Sequence, residues 1–511
     1  MGRPDTHVRN PLVEENVFLT LQKEQAGLPD FQSAKARLPT PFWPNRQPFL
    51  DCYWKAWELA FGNLRQPPPE SPLVANFIDT AFNDCTFMWD SSFMALFGRY
   101  GARAFNFQRT LDNFYSRQHP DGFICREIAV RDGEERFERF DPSSTGPNVM
   151  PWAEWEYYRQ YQDRERLGRV FPVLLAYTQW LKRNRTWPEG TYWSSGWGCG
   201  MDNQPRLPPG CHVSFEHGHM AWIDTTLQQI FANQLLLRMA DELGRILEVS
   251  DLAAESERLT AFVNQHMWDD SRAFYFDRFR DGTLSSTKTI GAYWALLAGT
   301  LSEERLGRFI EHLRDPAEFA RPHRVPTLSA DHPAYDRRGG YWLGAVWAPT
   351  NYMVLRGLNA CGQYRLAHEI GLNHLETVVE VFQATGTLWE NYSPELAAPG
   401  QPAMKDFVGW TGLSPIAILL ENVFGLEPEA SRGELIWRVR LLENHGVDHY
   451  PFGPDLNLRL RCAQRTSQTE EPVIEASIEP TPDATPKAVA PTRPLRLNVE
   501  WPGGNKTFFP T

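Results

Sequence analysis

Residues 222–244 read Trp222-Ile223-Asp224-Thr225-Thr226-Leu227-Gln228-Gln229-Ile230-Phe231-Ala232-Asn233-Gln234-Leu235-Leu236-Leu237-Arg238-Met239-Ala240-Asp241-Glu242-Leu243-Gly244. Ile223, Leu227, Ile230, Phe231 and the following leucines recur at steps of three and four, which lines them along one face of an α-helix. The same period runs from about Pro48 to Phe424, with no run of alternating strand between helices. It predicts helical stretches at 49–64, 88–100, 102–117, 148–162, 165–184, 219–243, 249–267, 286–299, 302–313, 347–360, 363–383 and 410–424. The joints between them alternate in length. Short ones fall near Gly101, Gln162, Gly244, Thr300 and Gly362; long ones occupy roughly 65–87, 118–147, 185–218, 268–285, 314–346 and 384–409. Each helix reverses the chain, so if the short joints share one end, the long ones share the other. Six hairpins closing on themselves give a mainly α fold, an (α/α)6 barrel, with every unusual loop on one rim.

After Gly425 the pattern changes to alternation, at Glu434 to Leu442, Leu456 to Ala463, Val473 to Ile478, Leu495 to Trp501 and, more briefly, Lys506 to Phe509. This predicts a small C-terminal β appendage. Residues 479–492 are rich in Pro, Ala and Thr, bury little apolar surface and read as a flexible surface loop. Residues 1–47 are polar and punctuated by proline, the composition of an arm packing on the barrel. The expected division is therefore an arm at 1–47, a barrel at 48–425 and a β domain at 426–511.

The net charge is −12 and the basic residues are dispersed. Nucleic acid and anionic membrane are thus poor partners, and a small uncharged ligand fits better. Seven cysteines, at 52, 85, 125, 199, 211, 361 and 462, include no C-x-x-C pair. They indicate neither a disulfide framework nor a zinc finger. The N-terminus lacks the apolar core of a secretion signal and no apolar run is long enough to span a bilayer, so the expectation is a soluble, cytoplasmic protein. The 19 tryptophans are an excess that suits cores and the apolar faces of sugar rings alike. Nothing in the sequence fixes an oligomeric state.

Two carboxylates stand out from this background. Asp202 lies in Gly198-Cys199-Gly200-Met201-Asp202-Asn203-Gln204-Pro205-Arg206, in the third long joint. Glu390 lies in Thr387-Leu388-Trp389-Glu390-Asn391-Tyr392-Ser393-Pro394, in the sixth. Taken alone, Asp202 reads as a helix cap and Glu390 as a solvated loop charge. Taken together in aromatic surroundings on one rim, they read as the acid and base of glycosidic bond cleavage. The two motifs resemble glycoside hydrolase family 63 and its relatives, the trehalases and the mannosylglycerate and glucosylglycerate hydrolases. The resemblance covers about 49–425. It implies the (α/α)6 barrel, Asp202 as general acid, Glu390 as general base, and inverting hydrolysis of small α-glucosides with no cofactor. With Asp202 protonated while Glu390 is ionised, the acidic limb of the pH profile would report Glu390 and the basic limb Asp202.

The same resemblance assigns substrate contacts. Trp89 and Asp90, in Phe87-Met88-Trp89-Asp90-Ser91, look like the segment that holds hydroxyls of the terminal sugar in trehalase-like enzymes; as sequence alone, Asp90 is also a helix cap. Arg126 lies in Asp121-Gly122-Phe123-Ile124-Cys125-Arg126-Glu127, with Cys125 in place of the family's usual proline, and reads equally as a buried ion-pair partner. Tyr341, Trp342 and Trp347 lie in Tyr341-Trp342-Leu343-Gly344-Ala345-Val346-Trp347-Ala348-Pro349, with Leu343 where arginine is frequent. Trp347 is the candidate stacking face. Trp152, Asn203, Arg206, Tyr392, Lys405 and Trp410 complete the expected contacts. Glu216 and His217, near His212 and His219, have no standard metal-ligand spacing, so they read as sugar hydroxyl contacts or structural hydrogen bonds and no metal is expected. Two other functions fit the same barrel: phosphorolysis, which dispenses with Glu390 as base, and sugar binding without turnover.

Overall fold

A computed structural model describes residues 8–481 and 494–510. Helices form at Gln47–Gly62, Met88–Gly98, Met150–Tyr161, Arg164–Asn184, Ile223–Leu243, Ser250–His266, Glu303–Glu311, Ala348–Ala360 and Tyr364–Thr385. Their ends follow local chemistry. The Asp163 side chain accepts from the Arg166 N–H and that of Ser302 from the Arg305 N–H, satisfying orphan donors at two N-termini. Gly244 and Gly386, both at φ 74°, close two C-termini in the left-handed conformation.

Three expected helices take other forms. The stretch expected at 102–117 turns sharply and gives a 3-10 helix, Phe107–Leu111, and one helical turn, Asp112–Tyr115. The cause is close packing: a Cβ on Gly98 would sit 2.4 Å from that of Phe107, and one on Gly101 would sit 2.8 Å from the Trp57 ring. The chain must fold back early to seat Phe107 there. The stretch expected at 286–299 begins as 3-10 helix, Ile290–Tyr293, before the short helix Trp294–Ala298, and that expected at 410–424 is a 3-10 turn followed by a π-helix, Ser414–Val423.

Met88–Gly98 packs on Met150–Tyr161, which packs on Ile223–Leu243, then Trp294–Ala298, then Ala348–Ala360, then the 411–423 segment, which returns to Met88–Gly98. The other helices pack outside this ring, as Arg164–Asn184 does on Ile223–Leu243 and Tyr364–Thr385 on Ala348–Ala360. Every residue of Met88–Gly98 is buried, as befits a helix enclosed on all sides.

Two four-stranded sheets complete the molecule. In one, Thr40–Phe42 pairs with His445–Phe452, followed by Leu456–Cys462 and Ile474–Pro480, all antiparallel. In the other, Gly504–Phe508, Arg496–Trp501, Glu434–Arg438 and Leu426–Glu429 are neighbours, with the middle pair parallel. The strand His445–Phe452 does not show in the sequence because a bulge between Val447 and Tyr450, with His449 at φ 55°, breaks its alternation. The loop expected at 479–492 lies almost wholly outside the described residues. Short strand pairs also form inside the long joints, against the expectation of none. Cys85–Phe87 pairs with Glu127–Ala129, bringing the joint before Trp89 against the one carrying Arg126.

Candidate active site

Five of the six long joints meet at one cavity of about 480 Å³. Asp202 and Glu390 both line it, with Trp89, Asp90, Arg126, Tyr341, Trp342 and Trp410. The sequence segments that looked unusual one by one are thus brought to a common point.

Asp202 is presented by a tight turn. Ser195 accepts a hydrogen bond from the Gly198 N–H at 3.0 Å and starts the single turn Gly196–Cys199, which Gly200 ends at φ 77°. A Cβ on Gly200 would lie 3.2 Å from the Trp89 ring, so a side chain there is opposed by both conformation and space. Glu390 is held from several directions. Met404 donates its N–H to Glu390 Oε2 at 3.1 Å, Tyr341 its hydroxyl to Oε1 at 3.4 Å, and Trp410 its indole N–H to the Glu390 carbonyl at 3.2 Å.

Burial shifts both acids upward. Glu390, 3% exposed, is pushed up to about 7 by loss of solvent; the Met404 N–H and Tyr341 hydroxyl oppose the shift and the charge of Asp202 adds to it. Asp202 is pushed up to about 6, again mainly by burial, with the Arg126 charge opposing. This order is the reverse of the one expected from the acid and base roles. A third carboxyl, Asp90, is held well above the usual range by burial, with Glu390 and Asp202 contributing. A protonated Asp90 can donate as well as accept a hydrogen bond to a sugar hydroxyl.

Several expected contacts fall elsewhere. Trp347 is fully buried, its ring lying flat behind Trp342 at 3.9 Å and 2° and its indole N–H donating to the Tyr341 carbonyl, so Trp342 offers the ring and Trp347 backs it. Arg206 is 1% exposed and clamped between Asp224 and Asp277 by four hydrogen bonds of 2.6–2.8 Å. Those carboxylates consume its donors. Asn203 bonds the backbone of Gly340 and Trp342. Buried Tyr392 accepts from the Trp389 N–H and pairs with Val346. Trp152 lies in the core, stacked on Tyr352 at 5.3 Å, and faces a different cavity. Glu216 is exposed, and His217 packs against Trp187 and Trp193, outside the cavity lining. Lys405 is exposed and also outside it.

The structure adds Phe82, Phe87, Glu127, Arg136, Phe137, Trp197 and Phe407 to the wall. Glu127 stood beside Arg126 in the quoted motif, a signal that was available. Phe137 has no motif of its own; it is there because the Arg126 guanidinium lies over its ring at 4.5 Å.

The chain is similar to known glycoside hydrolases. The chain is 25% identical over 289 residues to a probable mannosyl-oligosaccharide glucosidase of Schizosaccharomyces pombe, covering 50% of this chain and 35% of that protein. It is 24% identical over 346 residues to mannosylglycerate hydrolase of Thermus thermophilus, covering 55% and 83%. The crystal structure of a GH63 mannosylglycerate hydrolase from Thermus thermophilus in complex with glucose superposes with a TM-score of 0.58 at 20% identity, over 72% of this chain and 99% of that one. The profile of the mannosylglycerate hydrolase MGH1-like glycoside hydrolase domain matches residues 84–411, so the chain belongs to that family and is a glycoside hydrolase of the family 63 and trehalase-like clan.

Proposed function

We propose that the protein is an inverting hydrolase of small α-linked glucosides, with Asp202 as general acid and Glu390 as general base. The observation that carries this reading is that both carboxyls, each raised toward neutrality by burial, line one aromatic cavity large enough for a small glycoside. Asp202 protonates the departing oxygen while Glu390 takes a proton from a water attacking the opposite face of the ring. Trp89, Asp90, Tyr341, Trp342 and Trp410 hold the sugar. Arg126 faces the departing group, and its charge favours the Asp202 carboxylate left after proton transfer. No step calls on a cofactor.

The ring of helix contacts supports an (α/α)6 barrel at residues 48–425, with 1–47 as an arm on it and 426–511 as a β domain. No helix among the described residues is long and apolar enough to cross a membrane, and the seven unpaired cysteines favour a reducing, cytoplasmic setting.

The test is a panel of α-linked disaccharides and glycosyl-glycerates, read by NMR for the anomer first released. The β-sugar from an α-glycoside is expected; initial α-sugar would exclude single displacement. Asp202→Asn should lower turnover of these substrates by roughly 10²–10⁴-fold while sparing glycosyl fluorides, whose leaving group needs no proton.

A further inference from the structure

A second cavity, also of about 480 Å³, lies between the C-terminal turns of the helices Met150–Tyr161, Ile223–Leu243, Trp294–Ala298 and Ala348–Ala360 and the strands Leu426–Glu429 and Glu434–Arg438. It is strongly charged. Three of its arginines are accounted for by carboxylates: Arg159 by Glu156, Glu427 and Glu429; Arg356 by Glu156 and Glu421; and Arg438 by Glu427 and Glu500. Two are not. Arg238 and Arg432 line the same cavity, and the side chain of neither makes a hydrogen bond or ion pair with another described residue.

Arg238 stands in an unfavourable field. Burial lowers its proton affinity most and the neighbouring Arg159 adds to this, while the charges of Glu156 and Glu429, beyond ion-pairing distance, oppose it only in part. A guanidinium in that position gains most from an anion that offers two oxygens to its planar fork. The wall also carries acceptors and a ring face: Asp241 reaches the cavity beside Arg238, and Trp155 and Tyr364 line it. Acceptors beside cations suit a ligand that bears hydroxyls as well as an oxyanion.

We propose that this cavity is a second ligand site, separate from the catalytic one, that binds a small hydroxylated oxyanion, a phosphate or carboxylate, through Arg238 and Arg432. An aromatic path connects the two sites: Trp152 lines this cavity and meets Phe93 edge-on at 6.1 Å, and Phe93 meets Trp89 of the catalytic cavity at 4.9 Å. The proposal concerns binding and stands independently of the acid and base assignments.

The test is calorimetric titration of the full chain at low ionic strength, first with inorganic phosphate and then with glucose 6-phosphate. Saturable binding is expected, weakened about tenfold or more by Arg238→Gln combined with Arg432→Gln, with turnover and circular dichroism unchanged. Arg432→Gln alone, at an exposed position, gives the same reading should the double variant misfold. Tighter binding of the sugar phosphate identifies a phosphorylated sugar as the ligand class, and equal binding identifies the free anion; both support the site. Absence of saturable binding, or equal affinity in the variants, would overturn it, the latter by placing the anion at Arg126 and Arg136.

Discussion

The Trp342 backbone N–H donates to Asn203 Oδ1 at 2.9 Å, and Asn203 returns a hydrogen bond from Nδ2 to the Gly340 carbonyl at 2.9 Å. The residue after the proposed acid therefore clamps the turn that presents Tyr341 to the proposed base. Tyr341 itself sits at φ 67°, a conformation that a non-glycine residue holds only when its neighbours impose it. The relative placement of Asp202 and Glu390 thus depends on a loop-to-loop clamp as well as on the helices beneath them.

Breaking the clamp should act through Glu390. Asn203→Ala leaves Trp342 N–H and Gly340 C=O without partners and should cost about 1–3 kcal/mol of stability. Because the Tyr341 hydroxyl stabilises ionised Glu390, loosening it raises the Glu390 pKa. Asn203→Ala and Tyr341→Phe should both lower kcat and move the upper limb of the pH profile to higher pH. A profile that keeps its limbs in both variants would detach Asn203 from the base.

Arg206 illustrates a different dependence. It is the only described cation within ion-pairing distance of Asp224 or Asp277, both fully buried. Arg206→Met strands two carboxylates and should destabilise by about 3–5 kcal/mol, seen in denaturant unfolding, with little change in KM for molecules that remain folded. A raised KM at unchanged stability would return Arg206 to the substrate.

These cases show what the sequence carries and what it withholds. Helical period and joint length are local, and they located most of the helices and set apart the long joints whose acid motifs meet at one cavity. The roles of Arg206 and Trp347 are set by partners that no local pattern specifies. Arg206 is consumed by Asp277, far along the chain, and Trp347 lies behind Trp342 because the intervening Gly344, at φ 141°, turns the backbone so that the two rings stack. Motif position says that a residue is near the site; only packing says which way it faces. The strand Thr40–Phe42 is invisible for a related reason, since its partner, His445–Phe452, lies at the other end of the chain.

The raised pKa values bear on stability as well as catalysis. The folded protein holds Glu390 at about 7 against an ordinary 4.5, so between those values it binds a proton that the unfolded chain releases. Stability from this group is full below the ordinary pKa and declines as pH rises to about 7, where the penalty reaches roughly 3 kcal/mol. Glu390→Gln should therefore stabilise the protein at pH 8 by up to that amount and leave it unchanged near pH 4. Thermal unfolding at the two pH values checks this; an equal effect at both would mean that charge burial at Glu390 is not the cause.

The last prediction follows from the order of the two pKa values. The pair releases protons in steps near 6 and near 7, so kcat/KM should be bell-shaped with a maximum between them. Asp202 has the lower value, so the productive form, with Asp202 protonated and Glu390 ionised, is the less populated of the two singly protonated forms. The limbs then exchange meaning: the acidic one follows Asp202 and the basic one Glu390. Glu390→Ala should lower kcat severely while changing KM little, because water activation matters mainly in the transition state. Azide entering the vacated space should restore part of the rate by direct attack. The rescued reaction needs only protonated Asp202, so its acidic limb should flatten and its basic limb should move down from about 7 to about 6. Substrate-saturated and unsaturated profiles of the rescued variant test this directly. A basic limb that stays at or above 7 would show that Asp202 holds its proton more tightly than Glu390, and a surviving acidic limb would show that another residue is the base.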